Sequence, residues 1–454
     1  GGGGGWGAVP PDGYCPEEGT LFDGETQTCR AVCPFKLGIV HDFTWPKEGI
    51  GAVMAVEAIN RGDFSVVPSA GGGAVQNVSQ LLLHDESPNA VTEAVKTVTQ
   101  WASDGVAFSI GPSWSLVSAT LSPVAALYQL PLISHWATSS TLSDERQYPA
   151  FSRTIPTHDS LMRAVPSILS ELGWRACVIL HRDDALGTSQ ALGVQSAAAL
   201  HGSMDVVAFA FEPGNLASMR SAVHSARDTG RRVIVFSGSD VDLFDFIEAA
   251  EPEGIVGSEG YALVDINAVH NVGSSESAAQ NARPELQEAV RRVLPGSLVM
   301  GYTTLRSDEA QGDAFERQWG QLSREELVGD PTMGEYVAAM TEQELLSPPS
   351  MASRYGYDGV FASALAWTKA RIRVGAERCP TGSELLEELR GVDFQGASGR
   401  VTFGDNGDRG DAGVIVMIRN TVALAGGELQ DVEIGVYVAG TGVQFDNSVT
   451  PVWP

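Results

Sequence analysis

Short apolar runs alternate with amphipathic segments along most of the chain, and this alternation predicts strands and helices in turn. KLGIV, beginning at Lys36, reads as a strand. Residues 49–60 then place Ile50, Val53, Met54, Val56 and Ile59 at helical spacing, and SQLLLHD reads as the next strand. A Ser-Pro-Asn signal starts a helix over 89–101 whose Val91, Val95, Val98 and Trp101 share one face. Residues 108–134 repeat the unit, with an apolar run ending in Gly111-Pro112, a helical segment of small and apolar residues, and a second apolar run over 130–134. Such units in register imply a parallel sheet with right-handed crossovers.

The pattern restarts after Arg153-Thr154-Ile155-Pro156. Residues 161–172 are a predicted helix, ACVILH a strand, 189–200 a helix, VVAFAF a strand, 216–229 a helix and RRVIVFSG a strand, followed by a helix over 240–250 started by Ser239 or Asp240. Residues 267–298 read as a loop followed by a surface helix, and SLVMGYTTL as a strand crossing back. Residues 310–389 are mostly helical, interrupted by Pro331 and by Pro348-Pro349, and return to the first half. The expected class is α/β, with two doubly wound parallel-sheet lobes, and the chain first passes between them at 151–156. Two lobes of ordinary domain size also fit a length of 454 residues, too long for a typical single core.

Charge narrows the function classes. A net charge of −27 repels a polyanionic partner, so nucleic-acid binding is discounted. No apolar run approaches the roughly 20 residues that cross a bilayer, and the chain begins with Gly1 without a signal-like segment. It is read as an excised or processed segment whose membrane anchor, if the parent has one, lies elsewhere. Cys15, Cys29 and Cys33 crowd a Gly/Pro-rich leader over 1–34, Cys379 sits in an ERCPTG turn, and Cys177 lies in the apolar run RACVIL. Cys177 is expected to be a buried free thiol; the other four allow three disulfide pairings and point to an extracellular setting. The sequon Asn77-Val78-Ser79 agrees with secretion.

Candidate chemistry gathers at two predicted strand ends. Ser113 and Ser115 follow the first, and Thr138, Ser139 and Ser140 follow the second, at the edge where parallel sheets bind ligands. Hydroxyls and free N–H groups at a helix start can hold a carboxylate without a full countercharge, although the same residues serve as ordinary helix caps. Asp405, Asp408 and Asp411 lack the closing Glu of a calcium loop and read as a tight polar turn. Asp183-Asp184 reads as a solvated loop. There is no nucleophile elbow, phosphate loop or HExxH, and the eight histidines do not cluster, so neither an enzyme nor a cofactor is expected.

LSDERQYPAFSRTIPTHDS and the ELGW after it resemble the ligand-binding ectodomain of class C G-protein-coupled receptors, most closely the metabotropic GABA receptor. Its bilobed Venus flytrap is the type I periplasmic-binding-protein fold, shared with natriuretic peptide receptors and bacterial amino-acid-binding proteins. Tyr357-Asp358-Gly359 is similar to the family's Tyr-Asp-Ala helix start, and FQGASGRVTFGDNGDRGDAGVIVMIRN to a stretch that forms a third crossing. The resemblance, over residues 35–454, implies a first lobe of 35–154 and 300–392 and a second of 155–299 and 393–454, joined by three crossing strands.

The same resemblance implies the site. Ser115 stands where these receptors bind a ligand carboxylate and Thr138 at the next hydroxyl position. Trp45-Pro46 matches a first-loop Trp-Pro, His84-Asp85 a strand-ending His-Asp, and Tyr261 the Tyr that closes over the ligand from the second lobe. Trp114 and Trp136 replace small residues, narrowing the pocket or stacking on a bulkier ligand. Ala352 replaces the acid that holds the ligand amine, so the amine is held differently or is absent. The implied function is an extracellular receptor domain that binds an amino-acid-like ligand, GABA- or glutamate-like, in the interlobe cleft and signals by lobe closure. A membrane-spanning domain in the parent, G-protein coupling and a dimer through lobe 1 come with it. A secreted or periplasmic solute-binding protein serving a transporter, or a receptor guanylate cyclase ectodomain, is the alternative.

Overall fold

The structure, a computed structural model, describes residues 20–23, 28–31, 33–41, 46–71, 75–85, 91–202, 204–266, 274–303, 310–329, 334, 337, 340–341, 348–375, 378–411 and 414–453. The chain forms two compact units, one of Gly1–Ile155 with Thr304–Gly410 and the other of Pro156–Thr303 with Asp411–Pro454. In the leader, β1 (Thr20–Asp23) and β2 (Thr28–Ala31) pair antiparallel. The first unit then lays down β3 (Lys36–His41), α1 (Pro46–Arg61), β4 (Gln80–Asp85), α2 (Val91–Ser103), β5 (Phe108–Ile110), α3 (Ser115–Leu127), β6 (Leu132–Ser134) and β7 (Phe151–Arg153). Its five strands are all parallel, in the order β4-β3-β5-β6-β7. Alternate residues of a strand face opposite ways. Leu37 and Ile39 therefore enter one apolar layer with Ile50 and Val53 of α1, while Val40 enters another with Val98, Trp101 and Leu121 of α2 and α3.

The second unit continues with α4 (His158–Glu171), β8 (Ala176–Arg182), α5 (Ala185–His201), β9 (Asp205–Phe211), α6 (Leu216–Asp228), β10 (Val233–Ser237), α7 (Asp240–Ala250), β11 (Ala262–Asp265), α8 (Ser275–Asn281), α9 (Gln287–Val293) and β12 (Leu298–Thr303). The chain returns to the first unit as α10 (Ala310–Trp319), α11 (Arg324–Gly329), α12 (Met351–Val374), α13 (Gly382–Arg390) and the hairpin β13 (Asp393–Gly396) and β14 (Gly399–Thr402). It ends in the second unit with β15 (Ile415–Ala423), β16 (Leu429–Val438) and β17 (Gly442–Phe445). Those last three strands extend the parallel set antiparallel, giving the eight-stranded order β17-β16-β15-β12-β11-β10-β8-β9. The short turns from β15 to β16 and from β16 to β17 allow antiparallel pairing only, because a parallel return needs a crossover of a dozen residues.

Helix α12 is buried over nearly its whole length and lies against α1. A Cβ on Gly51 would collide with the Ser353 carbonyl oxygen, so glycine sets the approach of these two helices. The Cys33–Cys379 disulfide ties the residues before β3 to the start of α13 across 346 positions. Cys177 is a free, buried thiol, pushed up to about 12 by desolvation. Cys15 lies outside the described residues.

Residues 393–410 correct the sequence expectation, which placed them in the second lobe. They belong to the first unit because of Asp358, in the middle of α12 and fully buried. Its carboxylate accepts the Ala397 N–H at 2.7 Å, the Ser398 N–H at 2.8 Å and the Ser398 hydroxyl. Arg409, also fully buried, donates to the Thr154 carbonyl at 2.5 Å and the Ser398 hydroxyl at 2.7 Å. The chain therefore leaves the unit after Gly410, not after Val392. Asp358→Ala is expected to cost about 3–5 kcal/mol, because the buried donors lose their acceptor. Urea denaturation measures this, and a loss below about 1 kcal/mol would show that the carboxylate does not hold the hairpin.

Candidate functional site

Parallel strands point their C-terminal ends the same way, so the loops after β5 and β6 are neighbours by topology. After β5 the chain turns at Gly111, whose φ of 93° and close approach to the Val40 carbonyl oxygen both exclude a side chain. Ser113 points inward, 3% exposed, and its hydroxyl lies 3.2 Å from His135 Nε2. Trp114 occupies the N-cap of α3, 43% exposed, and supplies no side-chain cap. Ser115 is the first helical residue. The first-turn N–H groups of α3 thus start without the side-chain acceptor most helices carry.

The loop after β6 meets this helix start. The Ser134 hydroxyl donates to the Pro112 carbonyl at 2.5 Å and accepts the Ala137 N–H at 2.9 Å, which turns the chain back. Ser139 then donates its N–H to Ser115 Oγ at 3.3 Å. Its own hydroxyl pairs with Thr141 Oγ1 at 2.9 Å at the start of a one-turn 3-10 helix over Ser140–Ser143. Thr138 and Trp136 are half-buried in the same loop. Ser115, Thr138 and Ser139 are therefore brought together, with Trp114 and Trp136 adjacent to them in the chain. Since Ser115 Oγ accepts from Ser139, its hydroxyl hydrogen is left to donate elsewhere.

The other expected site residues fall elsewhere or outside view. Trp45 lies outside the described residues. His84 is on the edge strand β4, separated from β5 by β3. Its Nδ1 lies 3.1 Å from Thr97 Oγ1 of α2, and desolvation lowers its pKa, favouring the neutral ring. Tyr261 is a correction. It precedes β11, at the opposite end from a ligand-binding edge, and is 7% exposed with the Arg232 guanidinium 4.4 Å from its ring centroid. It packs in the core of the second unit, among Leu263 and Ile255.

Other polar residues carry no signal that sequence reasoning had assigned to a site. At the C-terminal end of β8, Arg182 bridges Asp184 at 2.7 Å and Asp242 at 2.8 Å. Asp184 caps α5 through the Gly187 N–H; although burial opposes it, that bond and Arg182 hold the carboxyl below its usual range. The cap was legible as an acid just before a helix start. Gln190 of α5 joins His158 Nδ1 at 2.8 Å to the Ser237 hydroxyl. Asp408 pairs with Arg153 and Asp411 with Arg163, which accounts for both as ion-pair partners in a polar turn. Among the described residues no group of three or more His, Cys, Asp or Glu could hold a metal, and no helix is long and apolar enough to cross a membrane.

A family model described as "Receptor family ligand binding region" matches residues 74–419. The chain is similar to metabotropic glutamate receptor 8 of Rattus norvegicus, 24% identical over 349 residues, covering 67% of this chain and 36% of that receptor. It is similar to taste receptor type 1 member 1 of Homo sapiens, 25% identical over 322 residues, covering 66% and 36%. The chain thus spans about a third of the length of these curated relatives. Among solved structures it resembles an ABC transporter substrate-binding protein of Desulfitobacterium hafniense in complex with Leu, with a TM-score of 0.61, 20% identity, and 88% of this chain and 100% of that one covered. This last match bears on the fold, a periplasmic-binding-protein-like architecture.

The placements separate core from site by stability. Tyr261→Ala is expected to cost about 3 kcal/mol, as truncation of a packed aromatic does. Ser115→Ala and Thr138→Ala are each expected to cost no more than about 1 kcal/mol. Chemical denaturation of the three variants checks the ranking, and a cheap Tyr261→Ala would undo the core placement.

Proposed function

The chain belongs to the family of receptor ligand-binding regions, and on that premise we propose that it is the extracellular domain of a class C G-protein-coupled type of membrane receptor. It binds an amino-acid-like ligand and signals by closing on it. The observation that carries this reading is the start of α3: a helix whose N-cap residue supplies no side-chain cap, and whose Ser115 hydroxyl accepts the N–H of Ser139, the chain neighbour of Thr138, and retains a hydrogen to donate. Partial positive charge at a helix N-terminus and convergent hydroxyl donors suit a carboxylate. Similarity to a glutamate receptor and to a substrate-binding protein in complex with Leu supports an amino acid as the class, while nothing in these relatives favours GABA in particular.

The amine of such a ligand needs an acceptor, and the position the resemblance assigns to one holds Ala352, buried in α12. The half-buried Trp136 and the exposed Trp114 offer aromatic faces, which attract an ammonium group as well as an apolar side chain. Closure serves as a signal because a ligand shifts a conformational equilibrium by its differential affinity for the two states. A second reading, a free solute-binding protein that passes its ligand to a transporter, is favoured by the fold match over the whole length of one such protein. Finding membrane-spanning segments encoded in the same gene would decide against it.

Thermal shift of the purified chain against the twenty amino acids and GABA, with Ser115→Ala alongside, tests the proposal. A ligand at 100 times its dissociation constant stabilises the folded state by about 2.7 kcal/mol, so a binder raises the melting temperature. Ser115→Ala is expected to weaken that ligand about 10- to 100-fold through loss of a hydrogen bond to a charged group. If no compound shifts the wild-type chain, the amino-acid reading fails.

A further inference from the structure

One buried side chain holds the loop that carries Thr138 and Ser139. Arg153, the last residue of β7, is 0% exposed, and its guanidinium donates in three directions. Its Nη1 donates to the carbonyls of Ala137 at 2.9 Å and Ser139 at 2.8 Å, and its Nη2 to the Ser143 hydroxyl at 2.7 Å. Its Nε donates to Asp408 Oδ1 at 2.7 Å, and Nη2 stands 2.6 Å from the same oxygen. Asp408 is oriented in turn by the Asn406 side-chain amide at 2.8 Å, and the Arg153 backbone N–H donates to the Gly407 carbonyl at 2.9 Å.

We infer that Arg153, oriented by Asp408, is a positioning residue for the ligand site proposed on Ser115 and Thr138, and to that extent the inference rests on the preceding reading. Two carbonyls two residues apart, those of Ala137 and Ser139, converge on a single nitrogen, which fixes the 137–138 and 139–140 peptide planes on either side of the Thr138–Ser139 pair. With Ser143 also tied, the loop is held at its beginning, middle and end. That is the geometry in which the Ser139 N–H meets Ser115 Oγ. A planar guanidinium with a fixed fork of donors can make all these bonds at once, whereas the single ammonium of a lysine cannot. Neither Arg153 nor Asp408 touches the ligand in this scheme; they set where the hydroxyls stand.

Arg153→Lys in the full chain tests this with two readouts, hydrogen exchange and affinity for L-glutamate, GABA and L-leucine. The expected result is exchange about tenfold or more faster at the amides of 137–143, unchanged exchange in β3 and β5, and affinity for the bound probe weaker by about tenfold or more. Asp408→Asn repeats the test if the lysine variant does not fold, and it is expected to give the same local pattern to a smaller degree. Unchanged exchange over 137–143 overturns the inference, as does a loosened loop with unchanged affinity. Should the wild-type chain bind none of the three probes while the loop loosens as expected, the positioning of the loop stands and it is the amino-acid reading that fails.

Discussion

Charge buried without water has to be answered by the protein itself, and the first unit is organised around several such charges. Asp358, Arg153 and Arg409 are all buried. Desolvation pushes the Asp358 carboxyl up and the Arg409 guanidinium down, the directions expected when burial penalises the charged forms. Each is therefore stable only with its bonds in place. Those bonds reach far along the sequence, from α12 to the β13–β14 hairpin, from Arg409 to Thr154, and from Arg153 to Asp408. Apolar packing gives the unit its layers. The polar bonds decide which remote segments lie side by side within it.

The same network explains why a site can stand on loops. Loops are mobile unless their backbone groups are satisfied, and binding residues on them need a rigid base. Here the loop after β6 is fixed from below by Arg153 and from the side by Ser134 and Ser115. Across it, α3 begins with a tryptophan that does not cap. The contrast with several other helix starts is chemical. Asp184, Ser239 and Thr381 cap α5, α7 and α13 with their own side chains, and the first turn of α4 donates its Leu161 N–H to the Tyr302 hydroxyl at 3.1 Å. A helix start that forgoes its N-cap side chain gives up stability of about 1 kcal/mol, and the partial positive charge of its first turn suits an anion.

Much of this was legible in the sequence where the signal is local. The strand and helix alternation marks both units, because parallel strands buried on two faces read as apolar runs and their crossovers carry a helical stripe. Ser115, Thr138 and Ser139 were legible as hydroxyls at strand ends, and the buried thiol of Cys177 by its apolar neighbours. What escaped depends on distance. Arg153 looked like one more residue of a crossing strand, since Asp408 lies 255 positions away. The hairpin of β13 and β14 looked like the start of the second lobe, because its attachment is a carboxylate on another helix. Tyr261 was aligned to a ligand position, yet a tyrosine before a strand that begins Ala-Leu-Val-Asp lies at that strand's N-terminal end and packs with the core.

Rigidity of the first-unit site has a consequence for signalling under the proposed function. A preorganised surface binds without the cost of ordering side chains and loops, so contacts made there are available to a ligand before any domain closure. Contacts of equal strength in two conformations do not change the balance between them, however tight they are. The hydroxyls and helix start around Ser115 therefore serve capture, and the free energy that favours a closed state has to come from contacts made in that state alone. By that logic, variants at Ser115 and Arg153 weaken binding and signalling together. Substitutions that reduce signalling while sparing capture belong to groups outside this loop pair.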